Sequence, residues 1–141
     1  MQTRALLGAV LECDPERTRA AYAALPAIAC ACLYCRNYVA ACARLPASMR
    51  ALLESLGIDP TKEAEVYELG ALPDGRRLYG GFYHLAGRLL QGAGGQAPRP
   101  IGEEFSAYFR RDLHLVPPGF PRPTLQLEFS GPIPWVLAEQ P

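Results

Sequence analysis

The chain has 141 residues, half of them apolar, which is enough to bury a hydrophobic core without disulfides or a second domain. Fourteen Lys and Arg balance fourteen Asp and Glu, so no excess of charge draws the chain to nucleic acid or to an anionic membrane. No apolar stretch reaches the about 20 residues that a membrane-crossing helix needs.

Ala5 to Leu11 follows Arg4 and has the apolar character of a signal-peptide core. It is short for that role, and no small-x-small cleavage site precedes Asp14-Pro15-Glu16-Arg17. A cytoplasmic chain with reduced cysteines is therefore expected. Residues 4–12 lack a decisive period and read as a strand or a short helix. Asp14 then Pro15 predicts an N-cap with proline at the first helical position, and the Ala- and Arg-rich run to Leu25 continues that helix up to Pro26. An extended piece, Ala27 to Cys32, leads to a second helix near Tyr34–Arg44. Pro46 opens a third, in which Met49, Leu52, Leu53 and Leu56 recur at helical spacing before Gly57.

Beyond Gly57 the character changes to aromatic, glycine-punctuated strand. Glu65–Leu69 and the run Leu78–Leu90 flank the turn Pro73-Asp74-Gly75 and predict a hairpin. Gly80-Gly81 marks a bulge or a close backbone approach. Residues 91–102 are too rich in Gly and Pro for a packed element and read as a mobile loop; Gly92–Gly95 lacks the Lys and the helix of a phosphate loop. Phe105, Ala107, Phe109, Leu113 and Leu115 alternate with polar residues, as do Leu125, Leu127 and Phe129, so each set predicts a half-buried strand. Residues 1–141 thus read as one α+β domain, with N-terminal helices packed on one face of a mainly antiparallel sheet formed by the C-terminal half.

The chemistry concentrates in Cys30, Cys32, Cys35 and Cys42, four thiols within thirteen residues; Cys13 stands apart. Cys35 and Cys42 are two helical turns apart on one face, Cys32 sits just before the first turn, and Cys30 is delivered from the preceding segment. Three readings are open. Cysteine is a small hydrophobe, and the group can simply fill a tight helix interface. Close thiolates can hold a metal, zinc before an iron–sulfur cluster, in a site that helps fix a small binding or interaction domain whose partner is a protein or a second copy. Cys32-Leu33-Tyr34-Cys35 at a helix start can also run thiol–disulfide exchange, with Cys32 attacking and Cys35 resolving.

His84 and His114, the two histidines, both fall inside predicted strands; His84, in an aromatic run, is the better candidate for a further metal ligand. Glu63, Glu65 and Glu68 read as a solvated face, and Glu103-Glu104 as solvated charge at a loop end. No serine sits in a Gly-x-Ser-x-Gly nucleophile motif.

Cys32-Leu-Tyr-Cys35 resembles the glutaredoxin Cys-x-Tyr-Cys motif, and Pro123-Thr124-Leu125 resembles the proline-containing strand that faces the active site in thioredoxin-type folds. Those two patches imply thiol exchange. The hairpin between them departs from the parallel crossover of that fold. Cys30-x-Cys32-x2-Cys35-Arg-Asn-Tyr, Leu56-Gly57-Ile58-Asp59-Pro60, Tyr79-Gly80-Gly81-Phe82-Tyr83-His84 and Leu125-Gln126-Leu127-Glu128-Phe129 together resemble a group of bacterial proteins to which no activity is attached. That likeness spans most of the chain and implies a shared architecture only.

Overall fold

Apolar residues of the first dozen positions fold back on themselves. In a computed structural model, which describes residues 1–91 and 97–141, β1 (Gln2–Leu6) and β2 (Ala9–Cys13) form a hairpin closed by Leu7 and Gly8 at φ 52° and 73°. Two residues at positive φ give the turn whose twist matches that of the strands. The period is ambiguous in the sequence because this turn uses Leu-Gly and carries no Asn or Asp.

Helix α1 (Pro15–Ala24) starts as its sequence dictates, with Asp14 Oδ1 accepting from Arg17 N at 3.1 Å and proline in the first turn. Helix α2 (Leu33–Ala41) gives way to a 3-10 turn over Cys42–Arg44, and α3 (Ala47–Ser55) buries Met49 and Leu53. Gly57, after α3, has φ +81°, and a Cβ there would stand 2.2 Å from the Pro15 carbonyl oxygen. Glycine is therefore required where the end of α3 meets the start of α1.

The remaining strands are β3 (Glu65–Ala71), β4 (Arg77–Gln91), β5 (Arg99–Ile101), β6 (Phe105–Arg110) and β7 (Thr124–Ile133). They join the first hairpin in one sheet of order β1-β2-β4-β7-β6-β5, with β3 paired to the first half of β4, and every pairing is antiparallel. The fold is α+β, its helices in the N-terminal half of the chain. Tyr79, Tyr83, Leu85, Phe109, Leu127 and Phe129 pack with Tyr38, Met49, Leu53 and Leu56 of the helical half in one core.

The long strand β4 changes neighbour midway. It pairs with β3 as far as Phe82 and with β2 from Gly87, so its backbone between them has no strand on that side. Helix α1 takes that place. Thr18 Oγ1 accepts from Ala86 N at 2.9 Å; Tyr22 OH donates to the His84 carbonyl at 2.8 Å and accepts from His84 N at 3.1 Å. Thr18 and Tyr22, one turn apart, thus satisfy buried backbone groups that a ladder would otherwise pair.

Three expectations change, and a fourth, for Gly80-Gly81, narrows to the close approach that was one of its two alternatives. Of the loop expected over 91–102, residues 92–96 lie outside the described residues, whereas Arg99–Ile101 forms an edge strand, where Pro100 forfeits no ladder bond that the sheet needs. The alternation through Leu115 does not hold a strand beyond Arg110: Leu113 and Leu115 are exposed, Leu115 lies at φ 55°, and His114 is outside any strand. On β7 the polar set is buried too, because Gln126 accepts from His114 N at 2.8 Å and Glu128 pairs with Arg110 at 2.6 Å, so β7 is closed on both faces. The register shift of the hairpin falls on β3, between Glu68 and Gly70. Gly80 and Gly81 instead admit a close approach, with a Cβ at Gly80 standing 2.6 Å from the Tyr67 ring and one at Gly81 standing 2.5 Å from the Glu65 carbonyl.

Candidate metal centre

Pro26 cannot continue α1, and the chain runs without regular structure to Cys32, which caps α2. In the place usually held by Ser, Thr or Asp, the Cys32 sulfur accepts from Cys35 N at 3.4 Å, and Arg36 N makes the first helical bond to the Cys32 carbonyl at 3.0 Å. The cap fixes the spacing. Cys35, three residues on, lies in the first turn directly above the cap, and Cys30 Sγ reaches Cys32 Sγ at 3.3 Å. The three sulfurs all lie within 4.8 Å of one another. Cys30 and Cys32 are exposed, and Cys35 is partly covered.

The sulfurs divide charge unequally. The Cys35 N–H holds the Cys32 thiol below its ordinary pKa, while burial, and then the neighbouring thiols, push Cys35 well above it. Cys32 is thus the group most ready to carry a thiolate.

The three residues after Cys35 anchor the cap. Arg36 pairs with Glu139 at 3.2 Å. Asn37 is fully buried, its Nδ2 donating to the Pro134 carbonyl at 3.1 Å and its Oδ1 accepting from Val136 N at 2.8 Å. Tyr38 packs into the core, and its hydroxyl meets that of Tyr83, which donates to the Pro60 carbonyl at 2.8 Å. Asn37 therefore staples the cysteine-bearing helix to the C-terminal segment. It is absent from the candidates that the sequence suggests, and an uncharged polar residue running directly into Tyr38 and Val39 is the signal that could have found it.

Two hollows border the cluster. One, of about 320 Å³, is lined by Ala27, Ile28, Cys30, Cys35, Arg36 and Val39 among others. The other, of about 420 Å³, has Tyr22, Cys30, Lys62, Glu63, His84 and Phe120 in its wall. Cys30 belongs to both.

The other candidate donors lie elsewhere. Cys42 is buried at the end of α2, donates to the Pro60 carbonyl at 3.4 Å and is pushed up to about 12, by burial first and then by the charges of Glu63 and Asp59. His84 is buried with Nε2 at 3.3 Å from Gln126 Oε1, and burial lowers its pKa. Neither belongs to the group of mutually close donors. His114 is exposed, and its backbone N–H bonds to Gln126 Oε1. Cys13, buried in β2, is raised by burial.

Glu63 is a correction to the solvated face expected of Glu63, Glu65 and Glu68. It is 4% exposed, neither carboxylate oxygen has a hydrogen-bond partner among the described residues, and burial pushes it up to about 7. Glu65 is exposed, and Glu68 pairs with Arg77 at 2.7 Å. The misreading has a physical source: Glu63 lies before β3, where the strand's two-residue period does not yet apply.

The chain matches no protein-family model, no curated protein and no solved structure. The arrangement itself offers two chemistries: three sulfur donors can share one thiophilic ion, or two of them can be joined by oxidation.

Proposed function

We propose that this chain is a small metal-holding domain in which Cys30, Cys32 and Cys35 bind one zinc ion through sulfur, and that the ion fixes the 26–32 segment against α2 for a binding or interaction role. One observation carries the reading: three sulfurs brought within 4.8 Å by a helix cap and an otherwise irregular segment. Thiolates around tetrahedral zinc at about 2.3 Å stand about 3.8 Å apart, so the Cys30–Cys32 pair, at 3.3 Å, opens by roughly half an ångström on loading. The balanced charge of the chain supports a protein partner or a second copy of itself over nucleic acid. Among the described residues no helix is long and apolar enough to cross a membrane. The reading places the protein in a reducing compartment, the cytoplasm, which keeps such thiols available.

The test is elemental analysis of the full chain purified under reducing conditions, where one zinc per chain is expected. A chelator removes it and lowers the unfolding temperature. Cys32→Ser abolishes retention, whereas Cys42→Ser keeps the metal, since that sulfur bonds to Pro60. A chain that takes up no zinc, even when it is supplied, overturns the reading.

The Cys32 cap favours a second reading, thiol–disulfide exchange. The Cys32 thiolate attacks a substrate disulfide and forms a mixed disulfide, releasing one substrate thiolate. The Cys35 thiol then gives its proton to water and displaces the second, leaving Cys32–Cys35 oxidised for a dithiol to reduce. Metal-free protein that cycles with dithiothreitol while Cys35→Ser stalls as the mixed disulfide would support this reading against the first.

A further inference from the structure

Only three protein donors converge among the described residues, whereas zinc in a thiolate site takes four. Of the other candidate donors, Cys42 bonds to the Pro60 carbonyl and His84 to Gln126, and Glu63, which shares a hollow with Cys30, is outside the group of mutually close donors. Two of the three cysteines, Cys30 and Cys35, form part of the wall of the 320 Å³ hollow. Its other walls are the apolar Ala27, Ile28, Val39 and Ala40, with Thr61 and Lys62. Lys62 Nζ is taken up by the Tyr22 and Leu25 carbonyls, whereas the Arg36–Glu139 pair is solvent-exposed, so Arg36 is the cation that an incoming acid group can win by exchange. A volume of that size lies within the range of small-molecule sites. Apolar walls leading to a soft metal suit a ligand with a short hydrocarbon stem and a sulfur donor, and Arg36 suits an acid group at its far end.

Resting on the metal reading, we infer that the fourth ligand comes from outside the chain: a small organic thiol, carrying an acid group, that enters along this hollow and binds the ion as thiolate. Its S–H proton passes to solvent and a metal–sulfur bond forms in place of a bond to water; no electrons are transferred. The arrangement makes the centre a site of ligand exchange as well as a structural clasp.

Cobalt(II) in place of zinc reports its donors through its visible bands and its sulfur-to-metal charge transfer. The full chain is loaded with cobalt without oxygen and titrated with 3-mercaptopropionate, with ethanethiol and with acetate. The expected result is a saturable spectral change with the two thiols, none with acetate, and a preference for 3-mercaptopropionate. Arg36→Ala reduces that preference by up to about fivefold, the reach of an exposed ion pair. Ala40→Trp, which fills the hollow, loses the thiol response, its spectrum before thiol being the control for folding and loading. Thiolate-type cobalt bands that no thiol alters, thiols that strip the cobalt, or an Ala40→Trp protein that responds like the parent would each overturn the inference while leaving the metal reading standing. Failure to take up cobalt as a thiolate complex overturns both.

Discussion

At the scale of single residues, one group works against the fold as pH rises, a buried carboxyl with no hydrogen-bond partner among the described residues. Glu63 has a folded-state pKa of about 7, against an ordinary value of 4.5, because burial penalises its charged form. Folding therefore takes up a proton between these values. This contribution to stability is whole below pH 4.5, declines as pH rises and is lost once pH passes 7, a change on the order of 3 kcal/mol. Glu63→Gln should flatten that dependence, so that urea unfolding at pH 5 and pH 8 gives more nearly equal stabilities than in the parent. A parent already flat across this range would show that the carboxyl reaches water. Beside it, Cys42, Tyr38 and Tyr83 are held neutral, all raised by burial first; the Tyr38 hydroxyl meets that of Tyr83, and Tyr83 and the Cys42 thiol each donate to the Pro60 carbonyl. A buried thiol in that setting is a packing group, as most buried cysteines are.

At the scale of elements, α1 does the work of a strand. Thr18 bonds to Ala86 N and to the Asp14 carbonyl, so it ties the helix to the sheet and to its own cap. Thr18→Val keeps the shape and leaves the Ala86 N–H buried without an acceptor, for a loss of about 1–3 kcal/mol in denaturant unfolding, while Thr18→Ser recovers most of it. An unchanged Thr18→Val midpoint would mean that water replaces the hydroxyl. The cysteine-bearing helix is positioned by similar means: Asn37 holds it to Pro134 and Val136, and the Tyr34 carbonyl accepts from Tyr79 OH at 2.8 Å. Two of the three sulfurs, those of Cys32 at the N-cap and Cys35 in the first turn, thus stand on a helix held through Tyr34 and Asn37. Cys30 stands on a segment whose tie to that helix is sulfur to sulfur.

At the scale of the molecule, that asymmetry links metal and stability. An ion bound by the folded chain and not by the unfolded one adds RT ln(1 + [L]/Kd), about 4 kcal/mol at a thousandfold excess over Kd. The gain should be unequal along the chain. Amide exchange near 26–32 is expected to slow most on zinc loading, with β4 and β7, already at the centre of the sheet, changing only in their slowest, global opening. Equal slowing at every amide would mean that the ion contributes to global stability without ordering its own loop.

How much of this was legible in the sequence depends on the range of each signal. Local chemistry was readable: Asp14-Pro15 as a cap, Pro26 and Gly57 as stops, Pro73-Asp74-Gly75 as a turn, and the approach of Cys30, Cys32 and Cys35, whose close spacing one helix turn and one preceding residue pair convert into contact. So was the α+β class, since helical spacing gives way to two-residue alternation after Gly57, although the opening hairpin, whose period is ambiguous, was not legible. Only the tertiary structure decided what distant neighbours impose. It buried Glu63, Gln126 and Glu128, placed α1 beside the gap in β4, and turned Cys42 toward Pro60 and away from the other three thiols. The physical reason is that period and spacing describe a residue's own element, whereas burial and hydrogen-bond partners are set by whichever segment packs against it.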